Sequence, residues 1–217
     1  MSTSVIGLPI FGLEPIQRAA FYQLFQGLNG ALAQMALFMD HSDQEIATLT
    51  GRDYLPTVLE PVTPENFYEG HRPSLINAPI GNYPNCSVMA NQATPAALDL
   101  VDQADAYRCN LFVEVMAKTT NGEESGYSED SVNRRVQRMA EAVNLTLMAD
   151  QSLGGVVTAF DGPPIVIVGD VFVRKEKTSY GAEWLWQGAR LEYAVRKDAL
   201  RPSSSGAVLP AFDIDQA

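Results

Sequence analysis

Residues 184–197 read Trp-Leu-Trp-Gln-Gly-Ala-Arg-Leu-Glu-Tyr-Ala-Val-Arg-Lys. Leu185, Ala189, Leu191, Tyr193 and Val195 alternate with Trp184, Trp186, Arg190, Glu192 and Arg196. Successive strand side chains point to opposite faces, so this period of two predicts a strand with one apolar and one mixed face. Ile165 to Arg174, led by Pro163-Pro164, is a second Val/Ile-rich strand. A turn at Thr178 to Ala182, containing Gly181, joins the two as an antiparallel hairpin. Upstream, Tyr107, Cys109, Leu111, Val113 and Val115 alternate with Arg108, Asn110, Phe112 and Glu114, before Asn121-Gly122 and Gly126. Asn85 to Ala90, after Pro84, predicts a short further strand.

Two stretches carry a helical period instead. Ser128 is an N-cap, Glu129 and Asp130 sit where the helix dipole favours acids, and Val132, Val136, Met139, Val143 and Leu147 form a buried stripe. Gly154-Gly155 closes that helix. Earlier, Phe21, Leu24, Phe25, Leu28, Leu32, Met35 and Met39 recur at steps of three and four within Arg18 to Asp40. Gly27 and Gly30 each lower its propensity by about 1 kcal/mol relative to Ala. Close helix–sheet approach is the reason expected for them. Asp43, Gln44 and Glu45 open a further short turn before Gly51.

The order helix, long loop, strand, strand, helix, strand, strand predicts an α+β fold. It has a mostly antiparallel four-stranded sheet with helices packed on one face. Residues 1–15, with Gly7, Pro9, Gly12 and Pro15, read as an N-terminal arm, and 16–200 as the single domain. Residues 51–84, with prolines at 56, 61, 64, 73, 79 and 84, read as an extended loop. Residues 201–217 read as a C-terminal tail.

Composition bounds the function. The chain has 217 residues, 15 Lys+Arg against 26 Asp+Glu, and a formal net charge of −11. Residues 51–127 alone carry ten acids against four bases, so most of the acidity lies in the first 127 residues. A nucleic-acid binder must neutralise phosphates, which this charge opposes. Apolar residues make up 46%, enough to exclude wholesale disorder. Two cysteines, Cys86 and Cys109, make no disulfide framework, and a reducing cytoplasmic setting is expected. Met1 to Gly12 holds no Lys or Arg, so it lacks the charged start of a secretory signal. Gln23, Gln26, Asn29 and Gln34 argue against a bilayer span in the apolar first helix.

Catalytic patterns are absent from the sequence. His41 and His71 belong to no spaced metal motif, and there is no Cys-x-x-Cys, His-Glu-x-x-His or Gly-x-Ser-x-Gly. Asp99, Asp102 and Asp105 do not follow calcium-loop spacing and read as a solvated turn or short helix. The expectation is a non-enzyme with no cofactor and no metal, although a metal-dependent hydrolase built on carboxylates is the alternative from another class. Trp184 and Trp186 lie opposite the core face of the last strand and need a cover, either a loop of the same chain or another subunit. With Arg134 and Arg138, one turn apart on the second helix, they are the candidate partner-interface residues.

Three segments carry a family resemblance: Ser131-Val132-Asn133-Arg134-Arg135-Val136, Leu153-Gly154-Gly155-Val156-Val157, and Trp184-Leu185-Trp186-Gln187-Gly188-Ala189-Arg190-Leu191. With Pro84-Asn85-Cys86-Ser87-Val88, they make the last 130 or so residues resemble the tail terminator (tail completion) proteins of long-tailed phages. The Arg18–Asp40 helix matches that family's leading helix by position, while the 51–84 loop and the tail exceed its core. The resemblance implies a structural virion protein forming a homohexameric ring at the head-proximal end of the tail tube. Such a ring touches the major tail tube protein, stops its polymerisation, docks the head–tail connector or stopper, and lets DNA pass through its lumen. No membrane partner is expected. A connector-side neck or stopper protein is the alternative within the same class.

Overall fold

Every fourth residue of the first helix, α1 (Leu13–Thr50), is buried from Ile16 through Ala20, Leu24 and Leu28 to Leu32. The structure, a computed structural model, describes residues 13–51, 57–70, 83–95, 104–118, 129–170, 172–175 and 183–200. Helix α1 begins inside the span expected for the N-terminal arm and runs unbroken past Asp40, so Asp43–Glu45 belong to it. Residues 1–12 of the expected arm and the 201–217 tail lie outside the described residues.

Polar residues flanking the buried row tie α1 to its neighbours. Gln17 Oε1 accepts the Ala90 N–H at 3.1 Å, and Gln23 Nε2 donates to the carbonyls of Thr146 and Leu147 at 2.7 and 3.2 Å. The Asn29 amide pairs with both backbone groups of Val62, each at 2.9 Å. Backbone groups that would otherwise be buried unpaired are satisfied in this way. No described helix is long and apolar enough to cross a membrane.

The remaining elements are β1 (Phe67–Glu69), β2 (Asn85–Pro95), β3 (Ala104–Lys118), α2 (Glu129–Ala149), β4 (Ala159–Phe160), β5 (Ile165–Val168), β6 (Phe172–Lys175) and β7 (Glu183–Leu200). The sheet runs β1-β2-β3-β7, with β4, β5 and β6 in series along the far edge of β7. The α+β layout stands, but the mostly antiparallel four-stranded sheet is corrected: the sheet is mixed and has seven described strands. β1 pairs with β2 in parallel, through Phe67 opposite Cys86, and the other pairs are antiparallel. The parallel strand comes from within the expected 51–84 loop, where Pro64–Asn66 form a 3-10 turn leading into β1. Pro64 pre-sets the backbone angle of that turn and lacks the N–H the turn would leave unpaired. Residues 52–56 and 71–82 of the loop lie outside the described residues. The expected 165–174 strand is two short ones, β5 and β6, both antiparallel to β7 as the hairpin reading requires. Its turn at 178–182 lies outside the described residues, as do Ser128, Asn121, Gly122 and Gly126.

Both helices share one core with alternate residues of the central strands. Cys86 and Val88 of β2, the odd positions 109–115 of β3, and Ala189, Leu191, Tyr193 and Val195 of β7 meet Leu24, Leu28, Val136, Val143 and Leu147. Tyr193 is the largest fully buried side chain and meets Phe160 edge-on at 5.3 Å. The expectation of close helix–sheet approach at the glycines is corrected. A Cβ on Gly27 would lie 2.8 Å from Thr146 Cγ2, so Gly27 serves helix–helix contact, not helix–sheet contact. Gly30 faces open space.

Helix α2 ends in a tight turn. Asp150 Oδ1 accepts from the Ser152 N–H and hydroxyl at 2.9 and 2.6 Å, and Oδ2 accepts the Gly154 N–H at 2.8 Å. These donors hold the exposed Asp150 carboxyl below its ordinary pKa. Leu153, Gly154 and Gly155 all take positive φ, at 49°, 69° and 84°. Only Leu153 pays a steric penalty there, and its side chain is buried in the core.

Candidate functional site

The interface candidates fall on two elements, the arginines on α2 and the tryptophans on β7. Arg138 Nη2 donates to Asp43 Oδ2 at 2.5 Å, with the two side chains only 6% and 16% exposed. This pair braces the far half of α1 against α2, so Arg138 holds the fold together at that point. Arg134 lies in a groove beside it. Trp186, on β7, stands on the helix-free face of the sheet, the opposite side from α2, and is half-buried. Trp184 also lies on β7, opposite Arg174 of β6, and its side chain is outside the described set. Trp186 and the two arginines therefore lie on opposite sides of the sheet.

The helix-free face is polar and paired at its centre. Arg190 Nε and Nη2 donate to Glu114 Oε1 at 2.8 and 2.5 Å, and its guanidinium lies 5.6 Å from the Phe112 ring centroid. Arg108 pairs with Asp161 at 3.0 Å. Cross-strand pairs of opposite charge fit a solvated sheet face.

No chemistry-bearing cluster is assembled among the described residues. No group of three His, Cys, Asp or Glu side chains there is placed to hold a metal ion. Cys86 and Cys109 are both buried. Burial pushes the Cys86 thiol up to about 12, and pushes Cys109 up against the opposing pull of Lys197. A thiol so displaced stays protonated and is a poor nucleophile. His41 is exposed on α1, Asp105 lies on β3, and His71, Asp99 and Asp102 lie outside the described residues.

What the described surface does display is uncovered apolar area. After Leu32 the sheet no longer covers α1, and Leu37, Phe38, Ile46 and Leu49 are 56–84% exposed. On the far edge of β7, all four residues of β5 are exposed. These two features wall one groove of about 810 Å³, through Met35, Phe38 and Met39 on one side and Pro163, Pro164 and Val166 on the other. Four consecutive exposed Val/Ile residues on a sheet edge form a template for pairing with another chain.

No protein-family model and no curated protein sequence matches this chain. Among solved structures it is similar to a chain from the virion of a native gene transfer agent particle. That similarity has a TM-score of 0.34 and 11% identity, and spans 87% of this chain and 99% of the other.

The exposed edge and the overhanging helix escape a sequence reading for one reason. Periodicity marks which residues share a face, but not whether a neighbour covers it. The available signal was the run Ile165-Val166-Ile167-Val168, apolar on both faces and thus unlike the alternating strands, which a fully buried strand explains equally well.

Proposed function

We propose that this chain is a structural ring protein of a long-tailed phage particle, the tail terminator, and not an enzyme. The uncovered β5 edge beside the overhanging half of α1 carries the reading, because contiguous exposed apolar surface of this kind marks protein–protein contact. The resemblance carried by residues 84–88, 131–136, 153–157 and 184–191 supplies the particle context. In a homohexamer each subunit offers one surface to the next, and a heterologous contact whose rotation closes gives a ring, not a filament. The ring caps the major tail tube protein by offering no further copy of the tube's own interface, and its other face receives the head–tail connector. The formal charge of −11 suits a lumen through which DNA passes without capture, since like charge removes the phosphate attraction.

Electron microscopy of particles assembled without this protein tests the role. Overlong tubes of variable length are expected; tubes of normal length overturn it. Cross-linking to the tube protein separates a terminator from a connector-side stopper, which has no tube contact. Light scattering on the purified chain reads the ring state.

A further inference from the structure

The free side of β5 is a docking site with a definable occupant. Gly169 N–H donates to Gly188 O at 2.9 Å, continuing the register in which Val168 faces Ala189. In an antiparallel pair, residues bonding toward a given neighbour alternate along the strand. Residues 165, 167 and 169 therefore bond toward β7, and the N–H and C=O of Val166 and Val168 point outward. No described strand pairs with that side. Val166 and Val168 lie opposite Leu191 and Ala189, both buried on the helix face, so their side chains share the groove's face. An incoming antiparallel strand that bonds to Val166 and Val168 thus places its inward-bonding residues over the groove, because bonded partners in an antiparallel ladder share a face.

The chain itself contains a segment of that design. Residues 5–11 read Val-Ile-Gly-Leu-Pro-Ile-Phe, uncharged throughout. If Ile6, Leu8 and Ile10 are the inward-bonding residues, their side chains all face the groove, and Pro9, which has no N–H to give, faces outward. The opposite phase would place proline against β5 and waste a ladder bond. Charge also selects this segment. Asp161 and Asp170 bracket β5, whereas the other terminal apolar run, Ala207 to Phe212, is followed by Asp213 and Asp215 and would bring like charge to the edge.

Reach decides which copy supplies the strand. From Leu13 to Met35, the groove's nearest α1 wall residue, α1 rises about 33 Å. The seven residues from Leu13 back to Ile6 span at most about 24 Å when fully extended. Residues 6–10 of the same copy therefore fall short of the groove. We infer that residues 5–11 of a second copy add a strand to the outer edge of β5, with Ile6, Leu8 and Ile10 seated in the groove. This rests on the reading that the chain assembles with copies of itself, and names the contact that joins them.

Two tagged versions of different size test it, one carrying Leu8→Cys and the other Val166→Cys, co-expressed and treated with a short bismaleimide. Cys86 and Cys109 are buried, which leaves the added thiols as the reactive pair. The expected result is a covalent product of one large and one small chain, lost when Ile6→Asp and Ile10→Asp are added to the Leu8→Cys chain. Circular dichroism confirms that each variant is folded. Oligomers by light scattering with no mixed product overturn the arm contact and leave ring assembly standing. A monomer at every concentration overturns both. A cross-link within one Val208→Cys, Val166→Cys chain shows that the C-terminal tail holds the edge, and also overturns the proposal.

Discussion

The two halves of α1 have similar residues and opposite fates. From Leu13 to Leu32 every fourth side chain is sealed against the sheet and α2, whereas from Gln34 to Thr50 large apolar side chains stand in the open. Both halves are helical and apolar, so composition is not the difference. The first half runs over β1 and β2 and is tied down by Gln17, Gln23 and Asn29; the second passes beyond the sheet and is held by the Asp43–Arg138 pair. Apolar spacing makes a helix amphipathic, but the reach of the sheet beneath it sets how much of the stripe is covered.

Substitutions on the two sides of Leu32 give the largest expected contrast. Leu24→Ala or Leu28→Ala, each at a 0% exposed position, is expected to lower stability by about 2–5 kcal/mol in urea denaturation. Leu37→Ala or Leu49→Ala, at 77% and 84% exposure, is expected to change the isolated chain by less than about 0.5 kcal/mol. Equal losses at both would show that the far half is covered in solution.

The glycines sharpen the same contrast. Gly27→Ala forces a methyl group to 2.8 Å from Thr146 Cγ2. Thr146 cannot yield freely, since its hydroxyl donates to the Ala142 carbonyl at 2.7 Å. Overpacking of this kind costs about 1–3 kcal/mol and outweighs the helix-propensity gain. Gly30→Ala, facing open space one turn later, is expected to stabilise by up to about 1 kcal/mol. Thermal melts of the two variants shifting in opposite directions check this.

Within the covered region, the Tyr193 hydroxyl is buried with no hydrogen-bond partner among the described residues. Burial raises the Tyr193 pKa, as an unsolvated phenol requires. Tyr193→Phe keeps the ring against Phe160 and removes the unpaired group, so stability is expected to stay level or rise by about 1 kcal/mol. A clear loss would reveal a partner for the hydroxyl.

The smallest effect lies at the exposed turn after α2. Asp150 has its pKa lowered in the folded chain from the ordinary 3.8. Its contribution is therefore complete above the unfolded value and is lost as pH falls through the folded one. Protection factors of the amides at residues 152–155, taken against the intrinsic exchange rate at each pH, are expected to fall on acidification below about pH 4, and Asp150→Asn to remove that pH dependence.

Much of this architecture is legible in the residues. The alternation at 107–115 and 184–197 yields β3 and β7, the stripe from Val132 to Leu147 yields α2, and the Val/Ile run after Pro163-Pro164 yields an antiparallel partner for β7. Less legible is Phe67–Glu69: three residues hold too little periodicity to mark a strand, and their pairing with Cys86–Val88 exists only because the chain returns there. The candidate surface was harder still. Trp186 and Arg138 are conspicuous residue types, yet one lies on the helix-free face and the other is spent on Asp43. Ile165–Val168, which looks like core, is exposed.

Local patterns were enough to establish the α+β class, the main strands and α2, because side-chain period and turn chemistry act over a few neighbouring residues. Coverage was settled by contacts between elements far apart in the chain: where α1 outruns the sheet, which edge of β7 is left open, and that Gly27 meets Thr146 from 119 positions away. Burial depends on what lies across the gap, and no single segment encodes its own neighbour.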